Sequence, residues 1–152
     1  MQIVPANRGV NVSRFTKINL LEVADTVGEH TPGLEGRMGR SHLHSRDLGI
    51  SHFRYAPNLR SAMGHRHLEQ EEAYLVIAGS GRVMLDDECV ALHQWDIVRV
   101  APEVVRAFEA GDDGLELIAI GGPKPDGGDG LRAEIAWPDL AAGLGDVAPR
   151  VG

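Results

Sequence analysis

The chain has one cysteine, Cys89, so no disulfide can form within it, which suits a reducing cytoplasm. Within the strand-like run Cys89–Leu92 the thiol reads as a small packed side chain rather than a nucleophile. Basic residues are in deficit: 15 Lys and Arg face 22 Asp and Glu, a net charge of −7. Nucleic-acid binding needs a basic face, so that partner is not expected. No apolar stretch approaches the length of a membrane helix. The N-terminus lacks the charged-then-apolar run of a secretion signal, and a cytoplasmic location is expected. At 152 residues and 43% hydrophobic content, what remains is one globular domain handling small molecules or protein partners.

Extended segments separated by turns dominate, with little helix. Up to Val12 no period is visible, and the arm reads as irregular. Phe15–Ile18 suggests a short strand, and Asn19 is placed to cap a brief helix through Val27, ended by Gly28. Glu29–Gly39 reads as loop. Strands are expected at Ile50–Tyr55, Arg60–His67, Ala73–Ala78, Arg82–Asp86, Glu88–Leu92, Asp96–Val100, Val104–Glu109 and Leu115–Ile120. Gly79–Gly81 is read as a turn and Gly111–Gly114 as a loop. Gly121–Gly130 is rich in Gly and Pro and reads as a linker. After it, Ile135–Leu140 carries apolar side chains able to dock, and the Ala/Gly-rich end reads as mobile. The organisation is therefore an N-terminal arm, strand, helix and loop over 1–48, a β core over 49–122, and a linker and tail over 123–152. Strands of five to eight residues joined by turns argue for an all-β sandwich or barrel. Ala73–Ala78 is apolar on both faces. One face can line the interior, while Ala73, Leu75 and Ile77 need a cover, and a homodimer supplies one.

The chemistry concentrates in Gly64–Gly79. His65 and His67 alternate on a strand and share a face. A short turn through Leu68–Gln70 brings Glu72 opposite them at the start of the next strand. Two imidazoles and a carboxylate suit a divalent transition metal with coordination positions left open. Glu71 is the carboxylate that a one-residue slip would turn inward, and so the reserve ligand. Gln70 beside the turn reads as a surface amide or a hydrogen-bond partner of the site. A second H-x-H, His42 and His44, has no following strand or carboxylate at a matching distance and reads as a solvated edge.

This stretch resembles the first motif of the cupin family: H-x-H, three or four residues, E, six residues, G. His65, His67, Glu72 and Gly79 fall on its positions, while the family's leading glycine is Leu59. The resemblance covers roughly Gly49–Gly122 and implies a jelly-roll β-barrel with a short N-terminal arm or helix and a flexible C-terminal tail. It implies as well a metal (Fe, Mn, Ni or Zn) on His65, His67 and Glu72, and dioxygenase, isomerase or lyase chemistry.

The family's second motif is G, five residues, P-x-G, two residues, H, three residues, N. It maps onto Trp95, Ala101, Glu103, Arg106 and Ala110, so every signature residue differs. The telling change is Arg106, which stands where the fourth ligand, a histidine, is expected. A guanidinium offers only donors and cannot bind a cation. Either three ligands hold the metal, or the metal is absent and Arg106 makes the pocket a receptor for an anion. In both cases it can hold a carboxylate or phosphate bidentately. The plainer role is an ion pair with Glu72, Glu116 or Asp96. His52 is a reserve fourth ligand from a neighbouring strand. With Arg106 and Tyr74 it makes up the candidate substrate-contacting set, although an aromatic in such a strand is more often core. Two readings stand: a metal-dependent cupin acting on a small polar or anionic substrate, and a metal-free cupin that binds or senses a small anion through Arg106 and the histidines.

Overall fold

The computed structural model describes residues 13–141. Eight strands make one curled antiparallel sheet: β1 (Leu34–Met38), β2 (Gly49–Tyr55), β3 (Gly64–His67), β4 (Glu72–Leu85), β5 (Glu88–Leu92), β6 (Ile97–Val100), β7 (Arg106–Gly121) and β8 (Gly130–Ala133). The spine is β4 against β7, paired from Glu72↔Gly121 to Leu85↔Arg106. On the other side of β7, β2 pairs with its second half and carries β1 outward, while β3 meets its first end at His65↔Arg106 and carries β8. Strands β5 and β6 line the remaining edge of β4. The curled sheet is the jelly-roll architecture that the family resemblance implies, within the sandwich-or-barrel class that the strand pattern predicts.

Two glycine clusters mark bends in the spine, where sequence reasoning places a turn and a loop. Gly79–Gly81 lies inside β4 and Gly111–Gly114 inside β7, with register shifts between Val76 and Ala78 and between Gly79 and Gly81. Gly79 has φ +73°, and a Cβ on it would sit 2.1 Å from the Gly114 carbonyl oxygen. Glycine here permits close approach of two backbones, and the resulting bulges bend the ribbon without ending it.

Alternation along the spine fills the interior. Tyr74↔Ala119 and Val76↔Leu117 face inward, as do Val83↔Phe108, and these join Tyr55, Leu92, Val100 and Leu115 in one buried cluster. Tyr74 and Tyr55 pack tilted on Phe108 with ring centroids 4.8 and 6.2 Å apart. Cutting Phe108 back to alanine would cost roughly 3–5 kcal/mol. On the opposite face, Met84 and Ala107 are covered by Trp137 from the C-terminal segment. Trp137 donates its indole N–H to Ser61 O at 3.2 Å and lies beneath the Arg60 and Arg82 guanidinium groups, 4.8 and 5.4 Å from the ring centroid. Those arginines also share the carboxylates of Glu109 and Asp139. Ile135–Asp139 therefore docks on the sheet, and Gly130–Ala133 adds a strand where the linker reading expects none.

Near the N-terminus the expected helix through Val27 is a single 3-10 turn, Leu20–Glu22, with Asn19 Oδ1 capping Leu21 N at 3.0 Å. It goes no further because Asp25 Oδ1 collects the N–H groups of Val27, Gly28 and Gly36 at 2.9, 3.1 and 2.9 Å. An aspartate that bonds its own following backbone competes with helix. The same contact pins Gly36, so the segment read as loop contains β1. Phe15–Ile18 is irregular rather than a strand, and Phe15 is exposed. Cys89, expected to be packed, is exposed on β5. The irregular arm up to Val12 and the Ala/Gly-rich end lie outside the described residues. Among the described residues, no helix is long and apolar enough to cross a membrane.

Candidate metal centre

Strand β3 delivers His65 and His67 to one face, the turn 68–71 reverses the chain, and β4 opens with Glu72 opposite them. Ligand atoms of the three residues all lie within 4.8 Å of one another, the one such group among the described residues. The rings of His65 and His67 are perpendicular, 5.2 Å between centroids. Glu72 Oε1 is the hub: His67 Nε2 is 2.7 Å away, His65 Nε2 3.4 Å, and the Tyr74 hydroxyl donates to it at 2.7 Å. Burial pushes the Glu72 carboxyl up, but hydrogen bonds from His65 and Tyr74 and the charge of the imidazoles outweigh it and hold it at about 2. Burial first, and the Glu72 charge second, push the Tyr74 phenol well above its ordinary value, so it remains a donor.

The second nitrogen of His67 is fixed by a residue that sequence reasoning missed. Nδ1 faces Asp129 Oδ1 at 2.9 Å, and Asp129 Oδ2 accepts the N–H groups of Glu69 and Gln70 at 2.7 and 2.8 Å. Burial pushes this carboxyl up, yet those backbone bonds and the His67 bond hold it at about 2. In the neutral ring an ionised Asp129 keeps the proton on Nδ1, so that Nε2 is the nitrogen turned toward Glu72. Nε2 is buried and has no hydrogen-bond partner, although Glu72 Oε1 is only 2.7 Å away. At that distance a cation, a proton or a metal ion, has to lie between the two. Two imidazoles and a carboxylate whose ligand atoms converge, one ring nitrogen among them without a hydrogen bond, fit a transition metal.

Arg106 sits beside the trio, directly across from His65 in the β3–β7 register, and is fully buried. Its Nη1 donates to the carbonyls of Val104, Pro102 and His65 at 2.8, 3.2 and 3.5 Å. Nη2 is 3.6 Å from Glu72 Oε1, a loose ion pair. Nε and Nη2 have no hydrogen-bond partner. A cavity of about 230 Å³ adjoins these groups, lined by His65, Glu72, Tyr74 and Arg106 and walled by Phe53 and Phe108. A larger open groove of about 680 Å³ lies elsewhere, but the arginine lining it, Arg54, is paired with Glu35 and Glu116.

The other candidates fall outside this centre. His52 is on the opposite face of β2 from Phe53 and Tyr55, and its Nε2 meets Glu116 Oε1 at 2.8 Å. Glu71 points outward to Arg99 at 2.8 Å. Gln70 donates to Gly122 O rather than to the site. His42 and His44 sit exposed on a turn.

No family model matches the sequence, and no curated protein matches it either. Solved structures do match in shape. A cupin protein from Bacteroides fragilis superposes with a TM-score of 0.61 at 17% identity, covering 90% of this chain and all of that one. A sugar phosphate isomerase of the cupin superfamily from Silicibacter pomeroyi gives 0.63 at 15% identity, covering 78% and 92%. The polyketide cyclase RemF from Streptomyces resistomycificus gives 0.63 at 14%, covering 82% and 87%. The fold is thus that of the cupin superfamily. An isomerase and a cyclase share it, so the fold by itself selects no reaction.

Proposed function

We propose that the protein binds a divalent transition metal, Fe, Mn, Ni or Zn, through His65, His67 and Glu72, and acts on a small polar or anionic molecule in the adjoining cavity. The observation that carries this is His67 Nε2, buried without a hydrogen bond, 2.7 Å from Glu72 Oε1 and grouped with His65. Bound there, the metal would supply Lewis-acid or redox chemistry of the dioxygenase, isomerase or lyase kind. The chain's own residues do the rest. Asp129 holds the Nδ1 proton of His67, and the Tyr74 hydroxyl steadies Glu72 Oε1. Phe53 and Phe108 keep the cavity wall dry, and Arg106 offers positive charge to the ligand.

A second reading has its own observation, the unpaired edge of Arg106: a metal-free protein that binds a small anion through Arg106 and the histidines. Elemental analysis of untagged protein separates the two. Stoichiometric metal that disappears in His67→Ala supports the first. Metal-free native protein whose carboxylate binding is lost in Arg106→Ala supports the second and overturns the first.

The outer face supports a homodimer. Ile50, Ile120 and Ala73 form one row across the sheet, and Ile118, Leu75 and Ile97 another. Ile97 and the neighbouring Trp95 are 61% and 68% exposed. Such a patch is what a second copy would cover. Ile97→Asp should shift the protein from dimer to monomer in light scattering coupled to size exclusion, and a native monomer at high concentration would refute the assembly.

A further inference from the structure

The structure points to a class of ligand for the cavity: we infer that it takes a compact monocarboxylate with an apolar body, its carboxylate seated on the side edge of Arg106. The inference rests on the metal reading in one respect. Arg106 offsets Glu72, and a divalent cation on the trio outweighs Asp129, which leaves the site net positive and short of an anion.

The edge itself is the main observation. Every hydrogen bond the guanidinium makes leaves from Nη1, to the Val104, Pro102 and His65 carbonyls. Nε and Nη2, the two nitrogens that share one side of the plane, make none, and Arg106 is 0% exposed. A buried cation with two unmet parallel donors is costly to keep. Two parallel N–H groups match the two oxygens of a carboxylate. Phosphate would take the same edge, yet its further oxygens would face Phe53, Phe108 and Leu117, which offer no donors.

The remaining walls define the body of the ligand. Beyond the polar end, the lining is Leu34, Phe53, Met63, Phe108 and Leu117. The hydroxyls of Tyr55 and Ser61, which also line it, hydrogen-bond each other, so the row of free hydrogen-bonding side chains that a sugar would require is missing. At about 230 Å³ the space is below the ~300–1,000 Å³ typical of drug-sized ligands. One acid group and one small ring or short branched chain fill it.

The test uses calorimetric titration of the full chain with benzoate, benzamide, acetate and inorganic phosphate, after a separate metal titration in a buffer free of carboxylates. Benzoate should bind at least tenfold more tightly than benzamide or phosphate. Arg106→Lys, which keeps the charge and loses the fork, should weaken benzoate at least tenfold. Should that variant misfold by circular dichroism, Met63→Trp decides instead. Met63 lines the cavity and is 40% exposed, so enlarging it narrows the space without touching the core. It should weaken benzoate tenfold and leave acetate unchanged. Equal binding of benzoate and benzamide, or phosphate binding as well as benzoate, overturns the inference. Metal binding without benzoate binding removes the ligand class and leaves the metal reading. Benzoate binding without metal removes the metal reading and leaves the carboxylate pocket.

Discussion

The sheet carries two clusters of the same residue types on its two faces. Inside, His67, Glu72 and Arg106 meet around one carboxylate oxygen; outside, His52, Glu116 and Arg54 do the same. The outer carboxylate is satisfied by its own neighbours. Glu116 Oε1 receives His52 Nε2 at 2.8 Å and Arg54 Nη2 and Nε at 2.9 and 3.2 Å. His52 Nδ1 is the one nitrogen of that group left without a hydrogen bond. The inner cluster has two nitrogens of a buried guanidinium and one imidazole nitrogen without hydrogen bonds, and a cavity beside them. Identical side chains thus make an ion network on one face and a receptor on the other. What separates them is hydrogen-bonding capacity left unmet beside a cavity.

The sharpest way to break this contrast is to remove one histidine from each face. His67→Ala should lower divalent-metal affinity at least a hundredfold in a chelator-competition titration, while His52→Ala leaves it within twofold. Equal losses would mean that the faces do not differ as described. Next in size is Asp129→Asn. Outer partners of ligating histidines typically change metal affinity by about 10–100-fold. The same variant should convert His67 from one ring tautomer to a mixture in ¹⁵N NMR of metal-free protein, with the fold intact; an unchanged ring spectrum would relegate Asp129 to holding the turn.

A third expectation concerns acid. Glu72 and Asp129 are held at about 2 in the fold, against ordinary values of 4.5 and 3.8. A carboxyl depressed by folding stabilises the native state above its ordinary value, and that contribution fades as pH falls toward the folded one. Metal-free protein should therefore lose stability between about pH 4.5 and 2, and Glu72→Gln with Asp129→Asn should flatten that part of the curve in urea melts. The smallest effect belongs to the outer face: Glu116→Gln should cost about 1 kcal/mol or less, since Arg54 and Glu116 are partly solvated.

Much of this was legible before any coordinates. Alternation in Ile50–Tyr55 reports a strand because a sheet with one wet face sorts its side chains by parity, while Ala73–Ala78 and Leu115–Ile120 report strands as short apolar runs bounded by turn residues. The trio was legible because a strand, a tight turn and a second strand keep His65, His67 and Glu72 within eight residues of sequence. Glycine clusters misled, since the same residue serves a turn and a bulge, and only the partner strand decides which. Asp129 carried no local signal. It lies in a Gly/Pro-rich run, 62 positions from the histidine it holds, and nothing in its neighbours reports that pairing. Its trace in sequence was weaker still than that of Arg106, the one basic residue of its strand.

Strand β8 gives the C-terminal segment a part beyond covering. It lies along β3 from Gly64↔Ala133 to His67↔Gly130, so the strand bearing both imidazoles is an inner strand rather than a rim. Trp137, clasped by two arginines, is the rivet that keeps it there. A version of the chain cut at residue 128 would retain all three candidate ligands and lose both the strand that shields them and the acid that aims one. Possessing the right donors and possessing a centre are, in this protein, separate inheritances from opposite ends of the fold.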